Sequence, residues 1–418
     1  MAATDAISHH AALDARMARA AKGIRLLSMA SWPASMRSEF LDAYANGKAK
    51  LPAYQYPSHD FSDARREFEA IAAAADASQP LGRYLVESAR DWDLAAQLLE
   101  CLGTRRAGEL SQSLFGGPEH VLPGGATTRE AANHFISVAD EMDQELLAPA
   151  EQVEISATSL ALQLQAKLDD FFDGRVIAVE LDADLTAKAA AGATRIRVRS
   201  GAAFSDYDLQ QLLQHEAFVH SLTALNGQQQ TVLPSLALSS PRTTATQEGL
   251  AVFAEQITGS IDIERMKRVS LRIEAVAMAL EGADFLAVFR YFLDAGQNEV
   301  ESFTSAQRVF RGVPTSGGCA FTKDTVYLRG LIGVHTFFRW ALKHGKLRLC
   351  RLLFAGKMTL ADVQRFEPLF GTGGLVEPRW LPEWVARANG LAGALAFSLF
   401  ANRIRLEQLA AVETVTDI

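Results

Sequence analysis

The chain has 418 residues, 49% hydrophobic and 22% charged, which suits a globular protein with a large core or two. A net charge of −8 with no lysine/arginine block excludes a nucleic-acid footprint, and no apolar run is long enough to span a bilayer. Three scattered cysteines (Cys101, Cys319, Cys350) exclude a disulfide framework; with no signal-peptide core at the N-terminus, a reducing cytoplasmic setting is expected.

Helical periodicity governs the first part of the chain. Residues 62–76, 81–103, 127–147 and 151–171 read as amphipathic helices, separated by the turn-rich pieces Leu51–Ser62 and Phe115–Thr128. Arg175–Leu181 and Ala193–Ser200 are short, β-branched and partly alternating, so they read as strands. They are the only convincing strands, so any sheet is small. Ser205 and Asp206 offer N-cap oxygens to a helix that runs to about Leu222. A further helix begins near Thr246, and a long apolar helical stretch covers about 262–295. Glycines punctuate Arg311–Gly318, and the remainder is again helical.

The chemistry concentrates in His215-Glu216-Ala217-Phe218-Val219-His220. Two histidines bracketing a glutamate on one helix suit a metallopeptidase: imidazoles bind the metal, and the carboxylate acts as general base toward water. The spacing is one residue longer than usual. In an undistorted α-helix, positions five apart point ~140° away from each other, against ~40° for positions four apart. Both rings can therefore face one ion only if the helix carries a π-bulge or ends near Val219. Taken alone, the pair also fits histidines that merely satisfy hydrogen bonds on a half-buried helix.

Glu248, within Thr246-Gln247-Glu248-Gly249-Leu250-Ala251, supplies a carboxylate on a following helix, the third ligand that a catalytic zinc site needs. On its own it fits equally a carboxylate favoured by a helix N-terminus. Gly249 beside it would allow close approach of another backbone or of substrate. Ala193–Ser200 is placed to be an edge strand that pairs with a substrate backbone, or else is a structural hairpin. Tyr327 is a candidate oxyanion donor. Arg308, Arg311 and Lys323 are candidates for a substrate's terminal carboxylate. Surface ion pairs and a core tyrosine are the alternative for these four. His59, His120, His134, His335 and His344 have no ligand spacing.

HEAFVH, TQEGLA and Phe321-Thr322-Lys323-Asp324-Thr325-Val326-Tyr327-Leu328-Arg329-Gly330, in this order, resemble the QEGLA-motif family. Its bacterial members carry a label about flavohaemoglobin expression. Its animal relatives are microtubule-associated tyrosine carboxypeptidases, which act on the C-terminal tyrosine of α-tubulin. The family has the same lengthened HExxxH spacing. The resemblance implies Zn2+ held by His215, His220 and Glu248, with Glu216 catalytic. It also implies a mainly α (α+β) zinc-metallopeptidase fold with a small β-sheet beside the HExxxH helix. The segments would be an N-terminal helical region (1–150), a catalytic core (151–345) and a C-terminal helical region (346–418), forming one composite domain.

The expected activity is a zinc carboxypeptidase acting on the C-terminus of a peptide or protein, with neither nucleic acid nor membrane as partner. Tubulin specificity is not implied, since no basic extension accompanies the motifs. The rival expectation is a metal-binding regulatory protein without hydrolysis. Glu216 argues against it, because a purely structural site has no use for a base beside its ligands.

Overall fold

The computed structural model describes residues 3–142, 154–183, 185, 188–371 and 374–402. The chain is mainly helical with two small sheets. Two of the four early helices have bounds close to those read from periodicity, Ser62–Ala74 and Pro80–Glu100; the helix expected over 151–171 starts only at Ala157 and runs to Phe172, because Ile155–Ser156 pair as a strand and Ser156 caps the helix. Pro80 stands at the first helical position of the second, where its missing N–H has no intrahelical acceptor to lose. The helix expected over 127–147 runs Thr128–Glu141, started by a capping box in which Thr127 and Glu130 bond each other's backbone N–H. Its expected last residues, and the first three of the helix expected at 151, lie outside the described residues.

The apolar stretch 262–295 is two helices rather than one, Ile263–Leu280 and Phe285–Asp294. Gly282 breaks it with a left-handed φ of 116°, and Asp284 then caps the second helix by accepting from the Ala287 N–H. Apolar periodicity continues across the break because both helices face the same aromatic core. There Phe40, Phe285, Phe289 and Phe303 meet edge to face or tilted.

The strands differ from the hairpin alternative. β1 (Ile155–Ser156) pairs antiparallel with β5 (Ala203–Phe204). β2 (Ala178–Asp182), β3 (Ala189–Ala191) and β4 (Arg195–Arg199) form a three-stranded sheet in the order β2-β4-β3. β2 and β4 run parallel, with Val179 opposite Ile196. The all-alanine β3 is the short strand that the sequence does not announce. It takes the edge position expected of Ala193–Ser200, whose strand β4 is central and has both backbone edges occupied.

One large buried cluster draws on the N-terminal helix (Leu13, Met17), the middle of the chain (Leu160, Ile196, Val219, Leu250) and the last helix (Leu391, Leu395). The helix Thr244–Ile257 lies against Val326–Lys343 at its centre. They cross at Gly249 and Gly330, so closely that a Cβ on Gly249 would fall 2.1 Å from the Gly330 carbonyl carbon. The approach that Gly249 permits is therefore that of a neighbouring helix. No described helix is long and apolar enough to cross a membrane.

Candidate metal centre

After the Ser205 capping box and the short helix Asp206–Leu212, the backbone winds as a π-helix over Leu213–Ser221 and returns to α-helix at Leu222. The i→i+5 pattern brings residues five apart onto one face. His215 and His220 consequently lie with ring centroids 4.9 Å apart. Glu248, from the helix Thr244–Ile257, meets them: its Oε2 is 3.5 Å from His215 Nε2 and 3.6 Å from His220 Nε2. The ligand atoms all lie within 4.8 Å of one another, the one such group of three found among the described residues. Donors held tetrahedrally at about 2.0–2.1 Å from one ion would sit about 3.3–3.4 Å apart, which the two separations from Glu248 approach.

The surroundings orient these donors. His215 Nδ1 is 2.6 Å from Oε1 of Glu255, a fully buried carboxylate two helical turns after Glu248 on the same helix face. That bond puts the imidazole proton on Nδ1 and leaves the Nε2 lone pair for a metal. Arg265 donates to both Glu255 oxygens at 3.2 Å. Burial works against charge on Glu255, but Arg265 and His215 outweigh it and hold the carboxyl down at about 2. Burial likewise opposes a charged His215, yet without a metal the bonds to Glu248 and Glu255 lift it to about 10, so a cation that binds there has to displace the Nε2 proton facing Glu248. Lys323 Nζ donates to Glu248 Oε1 at 2.7 Å, leaving Oε2 toward the histidines. Despite burial, Lys323 and the two histidines keep Glu248 ionised, well below the usual carboxylate range. Glu216 is half-buried on the same π-helix, and its charge acts on both His215 and Lys357.

The remaining candidates converge on one flank. Tyr327 is half-buried, and its hydroxyl is 3.4 Å from Lys323 Nζ. Arg308 donates twice to Asp324, each bond 2.6 Å, and also bonds Tyr327. The charges of Arg308 and Lys323 are thus committed to internal carboxylates. Arg311 is different: it stacks over Phe321 with its guanidinium carbon 5.7 Å from the ring centroid and bonds no carboxylate. Arg272 is similar: it comes no nearer than 4.0 Å to Asp324, and its Nε is buried without a hydrogen-bond partner among the described residues. Burial, followed by repulsion from Arg308, pushes Arg272 down to about 9 and Arg311 to about 10. The sequence reading missed Glu255, Arg265, Arg272 and Lys357. Only Glu255 carried a readable signal, its two-turn spacing from Glu248.

The profile of the microtubule-associated tyrosine carboxypeptidase family matches residues 38–403. The chain belongs to this family. The match takes in the π-helix, Glu248, Glu255, the arginine flank and both segments that cross at Gly249 and Gly330. Membership in this family indicates a carboxypeptidase-type peptidase. No curated protein matches the chain at a significant level.

Proposed function

We propose that this family member is a zinc-dependent carboxypeptidase, its metal held by His215, His220 and Glu248 and its general base Glu216. The observation that carries the proposal is the convergence of three donor atoms, two from the π-helix and one from the helix Thr244–Ile257, with a second carboxylate, Glu255, bonded to Nδ1 of one ligand. Zinc bound there would supply Lewis-acid polarisation of the scissile carbonyl and make water more acidic.

The protein's own groups account for the rest of the reaction. Glu216 takes a proton from water as the water oxygen adds to the carbonyl, and delivers it to the amine nitrogen as the C–N bond breaks. Tyr327 accepts from Lys323 and Arg308, which leaves its own O–H to donate to the developing oxyanion. Arg311 and Arg272, cations without a bonded carboxylate, take the terminal carboxylate of the substrate. The edge strand β3 packs against the π-helix, Ser221 donating to the Gly192 carbonyl at 2.6 Å, and offers its outer edge to the substrate backbone.

The test is mass spectrometry of a mixed peptide library after incubation with zinc-loaded protein, run beside Glu216→Gln. Loss of single C-terminal residues in the wild type alone, with equal zinc in both proteins, is the expected result. Intact peptides in both samples would refute the proposal.

A further inference from the structure

The guanidinium of Arg265 meets two acceptors along one edge, and the nearer of them carries no charge. Arg265 is the third residue of the helix Ile263–Leu280, where its backbone N–H donates to the cap Asp262 at 2.6 Å. Its Nε and Nη2 reach the Glu255 oxygens only at 3.2 Å each. The side-chain oxygen of Gln211, its amide oriented by the surrounding donors, accepts from the same two nitrogens at 2.7 Å and 2.8 Å. Gln211 belongs to the helix Asp206–Leu212 and stands four residues before His215. The bonds therefore close a ring over three helices: His215 to Glu255, Glu255 to Arg265, Arg265 to Gln211, and back along one helix to His215.

Guanidinium–carboxylate bonds ordinarily close to about 2.7–2.9 Å and are stronger than bonds to a neutral oxygen. Around Arg265 the order is reversed, with the amide close and the carboxylate standing off. Nε has a single proton, so what it gives to Gln211 it withholds from Glu255. Glu255 Oε1 in turn makes its short bond, 2.6 Å, to His215 Nδ1. A carboxylate forked tightly by arginine would be a poorer acceptor toward that imidazole, and the imidazole a weaker donor of its Nε2 lone pair.

We propose that Gln211 is a positioning residue of the metal site, one that holds the Arg265 guanidinium off Glu255 so that the carboxylate keeps its short bond to His215. Arg265 anchors Glu255, and Gln211 sets how much of the carboxylate the arginine takes. Placing a metal on Nε2 is the peptidase reading, on which the functional side of this role rests. The bond at Nδ1 is measurable without it.

The test removes the amide, and then the group it holds back. In Gln211→Leu the guanidinium is free to close on Glu255. In the metal-free protein the His215 Nδ1–H proton resonance, recognised by its loss in His215→Ala, should then move to higher field as the bond to Glu255 lengthens. Zinc affinity, measured by chelator competition, should fall about tenfold, the lower end of what loss of an outer partner costs. With Arg265→Met already present, Gln211→Leu should change neither reading, because the two residues act through one contact. Arg265→Lys, whose compact ammonium has no fork, serves as that background if Arg265→Met does not fold. A glutamine that only braced its helix would give the same change in both backgrounds, or a lower melting temperature with both readings unaltered. Either result overturns the proposal, as does a move to lower field with tighter zinc binding. A wild type that binds no zinc would count against the peptidase reading instead, and the resonance would still decide the role of Gln211.

Discussion

Replacing Glu255 by glutamine isolates what the buried carboxylate does for the metal donors. The exchange keeps size and shape, and leaves Arg265, whose donors take the one remaining oxygen of residue 255. The new NH2 then faces His215 Nδ1, which must accept, and the imidazole proton moves to Nε2, toward Glu248 Oε2 and the metal position. A metal can bind only after that proton leaves or the amide turns its oxygen away from Arg265. Loss of such an outer partner weakens metal affinity about 10–100-fold, which is about 1.4–2.7 kcal/mol. The tautomer switch places Glu255→Gln toward the upper end. The assay is competition for zinc against a chromophoric chelator, at a temperature where both proteins are fully folded by circular dichroism. Zinc affinity equal to that of the wild type would refute the reasoning and reduce Glu255 to a structural partner of Arg265.

Two further perturbations test the scaffold. Gly249→Ala should force the helices Thr244–Ile257 and Val326–Lys343 apart, because the new Cβ would lie 2.1–2.5 Å from Gly330 backbone atoms. A loss of about 1–3 kcal/mol or more follows, read as a lower melting temperature together with weaker zinc binding, whereas Gly333→Ala, with its nearest neighbour at 3.8 Å, should be near neutral. Asp14 is fully buried and, despite the Ser235 bonds, burial raises its carboxyl to about 7 from 3.8. The native state thus holds a proton that the unfolded chain releases, so Asp14 contributes stability at low pH that is lost as pH rises from about 4 to 7. Asp14→Asn should flatten this slope and stabilise the protein relative to wild type at pH 8. Parallel melting curves of the two proteins between pH 5 and 8 would contradict the assignment.

Much of the candidate site was legible because the chemistry expected of it needs particular residue types at particular spacings. For both histidines of HEAFVH to face one ion, the spacing required a π-bulge or a helix end near Val219, and Leu213–Ser221 is a π-helix. The early helices were legible from periodicity, and the start of the later helix from Ser205 as its N-cap, though the Asp208 half of that capping box was not. The three-stranded sheet was not: β3 is three alanines, and neither β propensity nor alternation marks them. What makes Ala189–Ala191 a strand is pairing to β4 and packing on the π-helix, both tertiary effects. The division of labour among the cations was hidden for a related reason. Arg308 and Lys323 carry the same formal charge as Arg311 and Lys357, and only the fold decides which cations meet a carboxylate.

The two histidines of the site are held by different means, and this explains the role of the π-helix. His215 is positioned by a chain of bonds, from Nδ1 to Glu255 and on to Arg265; Glu248 is positioned the same way by Lys323. No described side chain outside the donor set bonds the His220 imidazole, whose contacts are with Glu248 and the His215 ring. Its orientation has to come from the backbone. An ordinary α-helical turn would carry it ~140° from His215 around the helix axis, and no hydrogen bond from a neighbour would correct that. Wide winding therefore does for His220 what Glu255 does for His215. The buried bulk of Ala217, Phe218 and Val219 inside the π-segment holds that winding against relaxation to an α-helix.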